Sequence, residues 1–152
     1  MENINNSTNE STAVQYIVIK IGNEQYGINI KYVDNIVRMQ AITRVPKAQP
    51  YFVGVINLRG EIVPVMSLRK KFEIEDDEIT NSTRIIILKP EAQSTVGFLV
   101  DGVKEVVTLS EDEIEKNSVN GAQAYISAVG KQNGQLISLL SIHSVIGDKE
   151  QQ

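Results

Sequence analysis

Residues 60–72 read GEIVPVMSLRKKF, and residues 134–146 read GQLISLLSIHSVI. Glu61 aligns with Gln135, Ile62 with Leu136, Val63 with Ile137, and Val65-Met66-Ser67-Leu68 with Leu139-Leu140-Ser141-Ile142. A second pair begins at other glycines. YGINIKYVDNIV from Tyr26 matches VGFLVDGVKEVV from Val96, which aligns Gly27 with Gly97, Ile30 with Val100, Val33 with Val103 and Ile36-Val37 with Val106-Val107. The glycine offsets are 70 and 74 residues, and upstream QYIVIKI corresponds to RIIILKP. Matching segments in the same order at nearly one offset mark two copies of one unit, at about 14–79 and 83–147.

Each copy reads as five short apolar strands. In the first copy they fall at 15–21, 25–30, 36–38 extending to 42–45, 54–58 and 61–66. In the second they fall at 84–89, 95–100, 103–109, 125–130 and 135–140. Gly22-Asn23, Lys89-Pro90 and Asn133-Gly134 supply turn signals. Asn-Gly suits a type I′ hairpin because both residues tolerate positive φ. Arginine disfavours positive φ, so Arg59-Gly60 predicts a type I turn with Gly60 in a bulge. Five short strands with open edges favour closure into a small barrel. The sequence therefore predicts an all-β chain of two pseudo-repeated five-stranded barrels packed together, since each core alone is thin. Short helical turns are expected near 67–72 and 141–147. Polar residues 1–13 and 148–152 read as flexible tails, and the acidic stretch 73–82 as a solvated loop between the copies.

Composition narrows the chemistry. Of 152 residues, 41% are apolar but only 5% aromatic, with no Trp, so the core rests on Val, Ile and Leu. A net charge of −4 argues against a nucleic-acid binder, which needs a basic face. With no Cys and a single His, thiolate and multi-histidine metal sites are excluded. The N-terminus carries no signal-peptide pattern, and no apolar run approaches the ~20 residues of a membrane helix. A cytoplasmic protein without direct membrane insertion is expected. No phosphate loop, dinucleotide fingerprint or H-E-x-x-H is present. His143 lies near Ser141 and Ser144, but nothing marks an orienting acid or oxyanion site. Asp76-Asp77 and Glu111-Asp112-Glu113 lie in loop-like contexts, and Ser110 through Glu113 fits a capping box opening a short helix toward Lys116. Arg69-Lys70-Lys71 reads as the solvated end of a turn. Catalysis, cofactor and metal are not expected. What remains is surface: Ile28, Ile30, Val33, Ile36 and Val37, with Val100, Val103, Val106 and Val107, exceed what a thin core can take.

YGINIKYVDNIV, ITRVPKAQPYFVGVINLRGEIVPVMSLRKKF and VGFLVDGVKEVV resemble the signature segments of the CheW family of chemotaxis coupling proteins, with the likeness running from about Gln15 to Ile146. The block Asn57-Leu58-Arg59-Gly60, followed by a Pro-Val strand and Leu-Arg, is its most specific part. The resemblance implies two SH3-like barrels and a non-catalytic scaffold at membrane-associated chemoreceptor arrays. The implied partners are the regulatory domain of the histidine kinase CheA and the cytoplasmic tip of methyl-accepting chemoreceptors, which docks in the groove between barrels. Ring assembly with the kinase or with itself is also implied. An adaptor of another array of this type, serving pili or development, is the alternative. Carried over by motif, Asn57, Arg59 and Gly60 are partner-facing positions. Val33, Ile36 and Val37 form the apolar contact surface, Asn35 is a further partner-binding position, and Val96, Gly97, Val103 and Val106 are the second-half equivalents. Two departures stand out: the family often has an acid where this chain has Asn35, and Asp where it has Ser67, which can still cap a helix.

Overall fold

Val63 and Val65 are fully buried while Ile62, on the same strand, is 59% exposed, the period of two that a half-buried strand requires. The computed structural model describes residues 13–76, 78–116 and 124–147. The expected tails therefore lie outside the described residues, apart from Ala13. Strands β1 (Val14–Ile21) and β2 (Glu24–Asn29) are followed by a 3-10 turn, Ile30–Tyr32, and by β3 (Val33–Arg38). The hairpin of β4 (Phe52–Leu58) and β5 (Glu61–Ser67) runs into the single-turn helix α1 (Leu68–Lys71). Then come β6 (Arg84–Glu91), β7 (Ser94–Val100) and β8 (Gly102–Leu109), a 3-10 turn at Glu111–Glu113, and β9 (Ile114–Lys116). The second half closes with β10 (Ile126–Gln132), β11 (Gln135–Leu140) and helix α2 (Ile142–Ile146). The architecture is all-β with short helical turns, as expected.

The strands form two sheets, ordered β8-β1-β2-β11-β10-β9 and β3-β6-β7-β5-β4. Two compact units result. One holds the described residues up to Val18, Gln25–Ile30 and the described residues from Lys104 on; the other holds Ile19–Glu24 and Lys31–Val103. The cut expected near residue 80 is thus corrected. Each unit takes the first two strands of one copy and the rest from the other, because the joining pairs are parallel: β5 with β7, Val65 opposite Gly97, and β11 with β2, Leu139 opposite Gly27. These registers are equivalent under the repeat. At both crossings glycine allows close packing: a Cβ on Gly97 would lie 2.8 Å from Ile85 Cγ2, and one on Gly27 2.8 Å from Leu139 Cδ2, so the neighbouring side chains would have to shift.

Both sheets close by one device. Beyond β3, Thr43 bridges Val55 of β4 through two backbone hydrogen bonds of 2.8 Å. Beyond β8, the chain bends through its 3-10 turn and β9 pairs with β10. The capping box at Ser110 is present, but the helix stops after one turn and Ile114 returns to extended backbone. Further signatures recur in both copies: the Ser67 N–H bonds the Tyr51 carbonyl as the Ser141 N–H bonds that of Tyr125, both at 2.8 Å. Register shifts fall at Phe52/Gly54 in β4 and at Ile126/Ala128 in β10.

Two turn readings need correction. Lys89-Pro90 is not a turn; β6 continues to Glu91 across a register shift between Leu88 and Glu91, so proline sits at an irregularity where no ladder donor is needed. That shift places one extra residue in β6. It explains why QYIVIKI matches RIIILKP one residue short of the offset beyond it. Arg59-Gly60 is not a type I turn either: φ is 54° and 83°, matching 53° and 77° at Asn133-Gly134. Both hairpins use the I′ conformation whose twist suits the flanking strands.

One core gathers Val18, Val107, Leu109, Ala128, Ile137 and Leu139. The other gathers Ile56, Val63, Val65, Ile85, Ile87 and Leu99, with Val37 and Met39 packed against it. Ile85 through Leu88 are all buried, so β6 is covered on both faces, as its unbroken apolar run implies.

Candidate interaction surface

The β4–β5 hairpin projects a polar tip. Asn57 stands opposite Ile62 and Leu58 opposite Glu61, leaving Arg59 and Gly60 as the two-residue loop. Asn57, Arg59 and Gly60 are all exposed. Asn57 Oδ1 accepts the Gly60 N–H at 3.0 Å, and a Cβ on Gly60 would meet nothing within 4 Å. No hydrogen bond or ion pair among the described residues holds the Arg59 guanidinium. The tip therefore offers an exposed cation at the end of a paired hairpin.

Strand β3 alternates: Asp34, Ile36 and Arg38 are exposed, while Val33, Asn35 and Val37 are half-buried. Ile36 is 37% exposed, whereas Val37 packs on the core of its unit. Asn35 spends its carbonyl oxygen on the Ile36 N–H at 2.9 Å. In the second copy Val106 is 51% exposed and Val103 half-buried.

Val96 and Gly97 do not join this surface. Val96 is 6% exposed, and Gly97 is the close-packed glycine of the β5–β7 pairing. Their place in the expected contact set is corrected to an interior one. Ile28, Val100 and Val107 are interior as well. Conversely, Ile62 and its repeat partner Leu136 are 59% and 62% exposed and were not singled out from the sequence. The signal was there: each lies out of phase with inward neighbours, Val63 and Val65, or Ile137 and Leu139.

The basic cluster is not simply solvated. Arg69 forks onto Asp101, with Nε to Oδ1 at 2.9 Å and Nη2 to Oδ2 at 2.7 Å, and its Nη1 donates to the Glu75 carbonyl at 3.1 Å. The Gly22 N–H donates to Asp101 Oδ2 at 2.7 Å, and the Asp101 N–H to the Lys20 carbonyl at 3.0 Å. The Arg69 guanidinium holds the Asp101 carboxyl below the usual carboxylate range, against the opposing push of burial and with help from the Gly22 N–H. Lys70 pairs with Asp76 at 3.1 Å, and Lys71 Nζ lies 3.9 Å from the Tyr51 ring centre. Ser67 caps α1 as expected, its hydroxyl accepting the Lys70 N–H at 3.1 Å.

Residues 15–150 match the family model for the CheW-like domain. The chain belongs to the CheW family. It is 38% identical over 143 residues to the chemotaxis protein CheW of Bacillus subtilis, covering 91% of this chain and 90% of the relative. It is 33% identical to that of Helicobacter pylori, covering 88% and 81%. The crystal structure of the scaffolding protein TtCheW from Thermoanaerobacter tengcongensis superposes with a TM-score of 0.82 at 29% identity, covering 90% of this chain and 94% of that one. This CheW-family chain is thus a member of a group of chemotaxis scaffolds. No group of three or more His, Cys, Asp or Glu side chains among its described residues could hold a metal. No helix among them is long and apolar enough to cross a membrane.

Proposed function

We propose that this chain is a cytoplasmic, non-catalytic scaffold that couples methyl-accepting chemoreceptors to the histidine kinase CheA. It would sit at membrane-associated receptor arrays, bind the kinase's regulatory domain and the receptor's cytoplasmic tip, and join ring assemblies with the kinase or with itself. The observation that carries this reading is the Arg59 tip: an arginine without a partner among the described residues, at the end of a paired hairpin, in a chain matched by the CheW family across its folded length. The proposed contact residues further include the exposed Ile36, Val106 and Gly60, with half-buried Val33, Asn35, Val37 and Val103 supporting them and Asn57 bonded to the turn that carries Arg59. The relatives compared above are chemotaxis proteins, which favours this reading over an array for pili or development.

The test is reconstitution of receptor fragments, CheA and this chain. Kinase activity should depend on the chain and respond to receptor ligand. If the purified chain shows no binding to the regulatory domain at 100 times a micromolar concentration, where an affinity of roughly −8 kcal/mol would saturate, the proposal fails.

A further inference from the structure

The two hairpin tips share a backbone but differ in how well their residues suit it. Asn133-Gly134 is the sequence a type I′ turn favours. Arg59-Gly60 places a long cationic side chain at φ 54°, a region that non-glycine residues other than Asn and Asp occupy at a cost. Something must hold that turn.

The residue two before the arginine is Asn57, and its side-chain oxygen takes the Gly60 N–H at 3.0 Å. Asn57 lies outside the turn, on the last residues of β4, so its own backbone is fixed by the strand. The equivalent residue of the other hairpin is Lys131, which carries no such acceptor and pairs instead with Glu115 at 2.8 Å. The carboxamide acceptor is therefore present only in the hairpin whose turn residue needs support. Packing offers no substitute, since Arg59 and Gly60 are exposed and Gly60 would have open space around a Cβ. Strain held in place by a neighbouring group is a device by which proteins orient a functional side chain.

We infer that Asn57 is a positioning residue, holding the left-handed turn that presents Arg59 and influencing partner binding through that arginine rather than by touching the partner. The inference rests on the reading of Arg59 as a partner contact, and the experiment separates the two. The first arm needs no partner. In Asn57→Ala, backbone relaxation and amide exchange at Arg59 and Gly60 should show a looser turn. Asn57→Asp, which keeps an acceptor oxygen, should restore order. The double variant Asn57→Ala/Arg59→Asn should stay ordered, because Asn-Gly holds the I′ turn unaided. A turn that is as ordered in Asn57→Ala as in the wild type overturns the inference.

The second arm measures affinity for the CheA regulatory domain and for a receptor-tip fragment in Asn57→Ala, Arg59→Ala and the double variant. Arg59→Ala should weaken binding about tenfold, and Asn57→Ala by a smaller factor. The double variant should be no weaker than Arg59→Ala alone. Multiplying losses would mean that Asn57 meets the partner itself, and would overturn the inference. If Arg59→Ala changes neither affinity, the contact reading of Arg59 fails, and with it the claim that Asn57 acts on binding; the order measurements then still decide the turn.

Discussion

Arg69 and Asp101 are 32 positions apart in sequence and share two hydrogen bonds in a forked pairing. The same carboxylate takes the Gly22 N–H, so one side chain ties α1, the β1–β2 turn and the residue between β7 and β8 within one unit.

Asp101→Asn should therefore lower stability at neutral pH by about 1–2 kcal/mol, a value discounted for partial solvent screening of the pair. The folded state depresses the Asp101 carboxyl below its ordinary value of 3.8, so ionisation is what the fold stabilises. That contribution is complete above the unfolded-chain value and lost as pH falls through the lower, folded one. The gap in melting temperature between wild type and variant should be constant from about pH 7 to about pH 5 and shrink in stronger acid. A gap of equal size at the acid end would contradict the assignment.

Gly97→Ala and Gly27→Ala should each cost about 1–3 kcal/mol, because the new methyl meets Ile85 or Leu139 side-chain atoms that must move. Gly54→Ala should be worse: φ is 146°, and the Cβ would run into the Thr43 carbonyl oxygen, part of the backbone that closes the sheet. Denaturant unfolding of the three variants gives the ranking. Gly54→Ala as the mildest would refute it.

Cleavage within 78–83, by an inserted protease site, should leave the two fragments bound in one particle. Each unit's sheet draws strands from both fragments, so neither fragment alone has a complete set. Fragments that separate on gel filtration without denaturant, each with native-like dichroism, would rule this out.

Ile62→Ser and Leu136→Ser should change stability by no more than about 0.5 kcal/mol, since both side chains are mostly in solvent. If these apolar groups are contact residues, at least one variant should lose about fivefold or more in affinity for CheA or a receptor fragment. Unchanged affinity for both partners would remove these positions from the contact surface.

Much of this was legible in the sequence, and the failures have physical causes. Alternation and turn residues located ten strands because those signals are local, although β3 runs Val33–Arg38 where 36–38 extending to 42–45 was expected. The repeat revealed that the halves are alike, but likeness does not specify which strands pair, and the parallel pairings Val65 with Gly97 and Leu139 with Gly27 link distant segments. Val96 and Gly97 were grouped with the β3 surface, although their repeat partners Tyr26 and Gly27 lie on β2 and β7 itself lies between two strands. Arg69 looked solvated because its partner is remote in sequence. Arg59-Gly60 was misread because turn preference is a local energy, and here the flanking strand pairing together with the Asn57 side-chain oxygen outweighs it.

The parallel pairing of Tyr26 with Ser138 and Gly27 with Leu139 also sets a timetable. During synthesis β2 emerges well before β11, the last strand among the described residues. Until then one edge of β2 has no partner, and the first unit cannot close. Native order in that unit waits for β11, and contacts this distant in sequence slow folding by their loop-closure entropy. A nascent chain stalled before residue 135 would carry an unfilled strand edge, the kind of surface that chaperones cover and that drives aggregation when they do not.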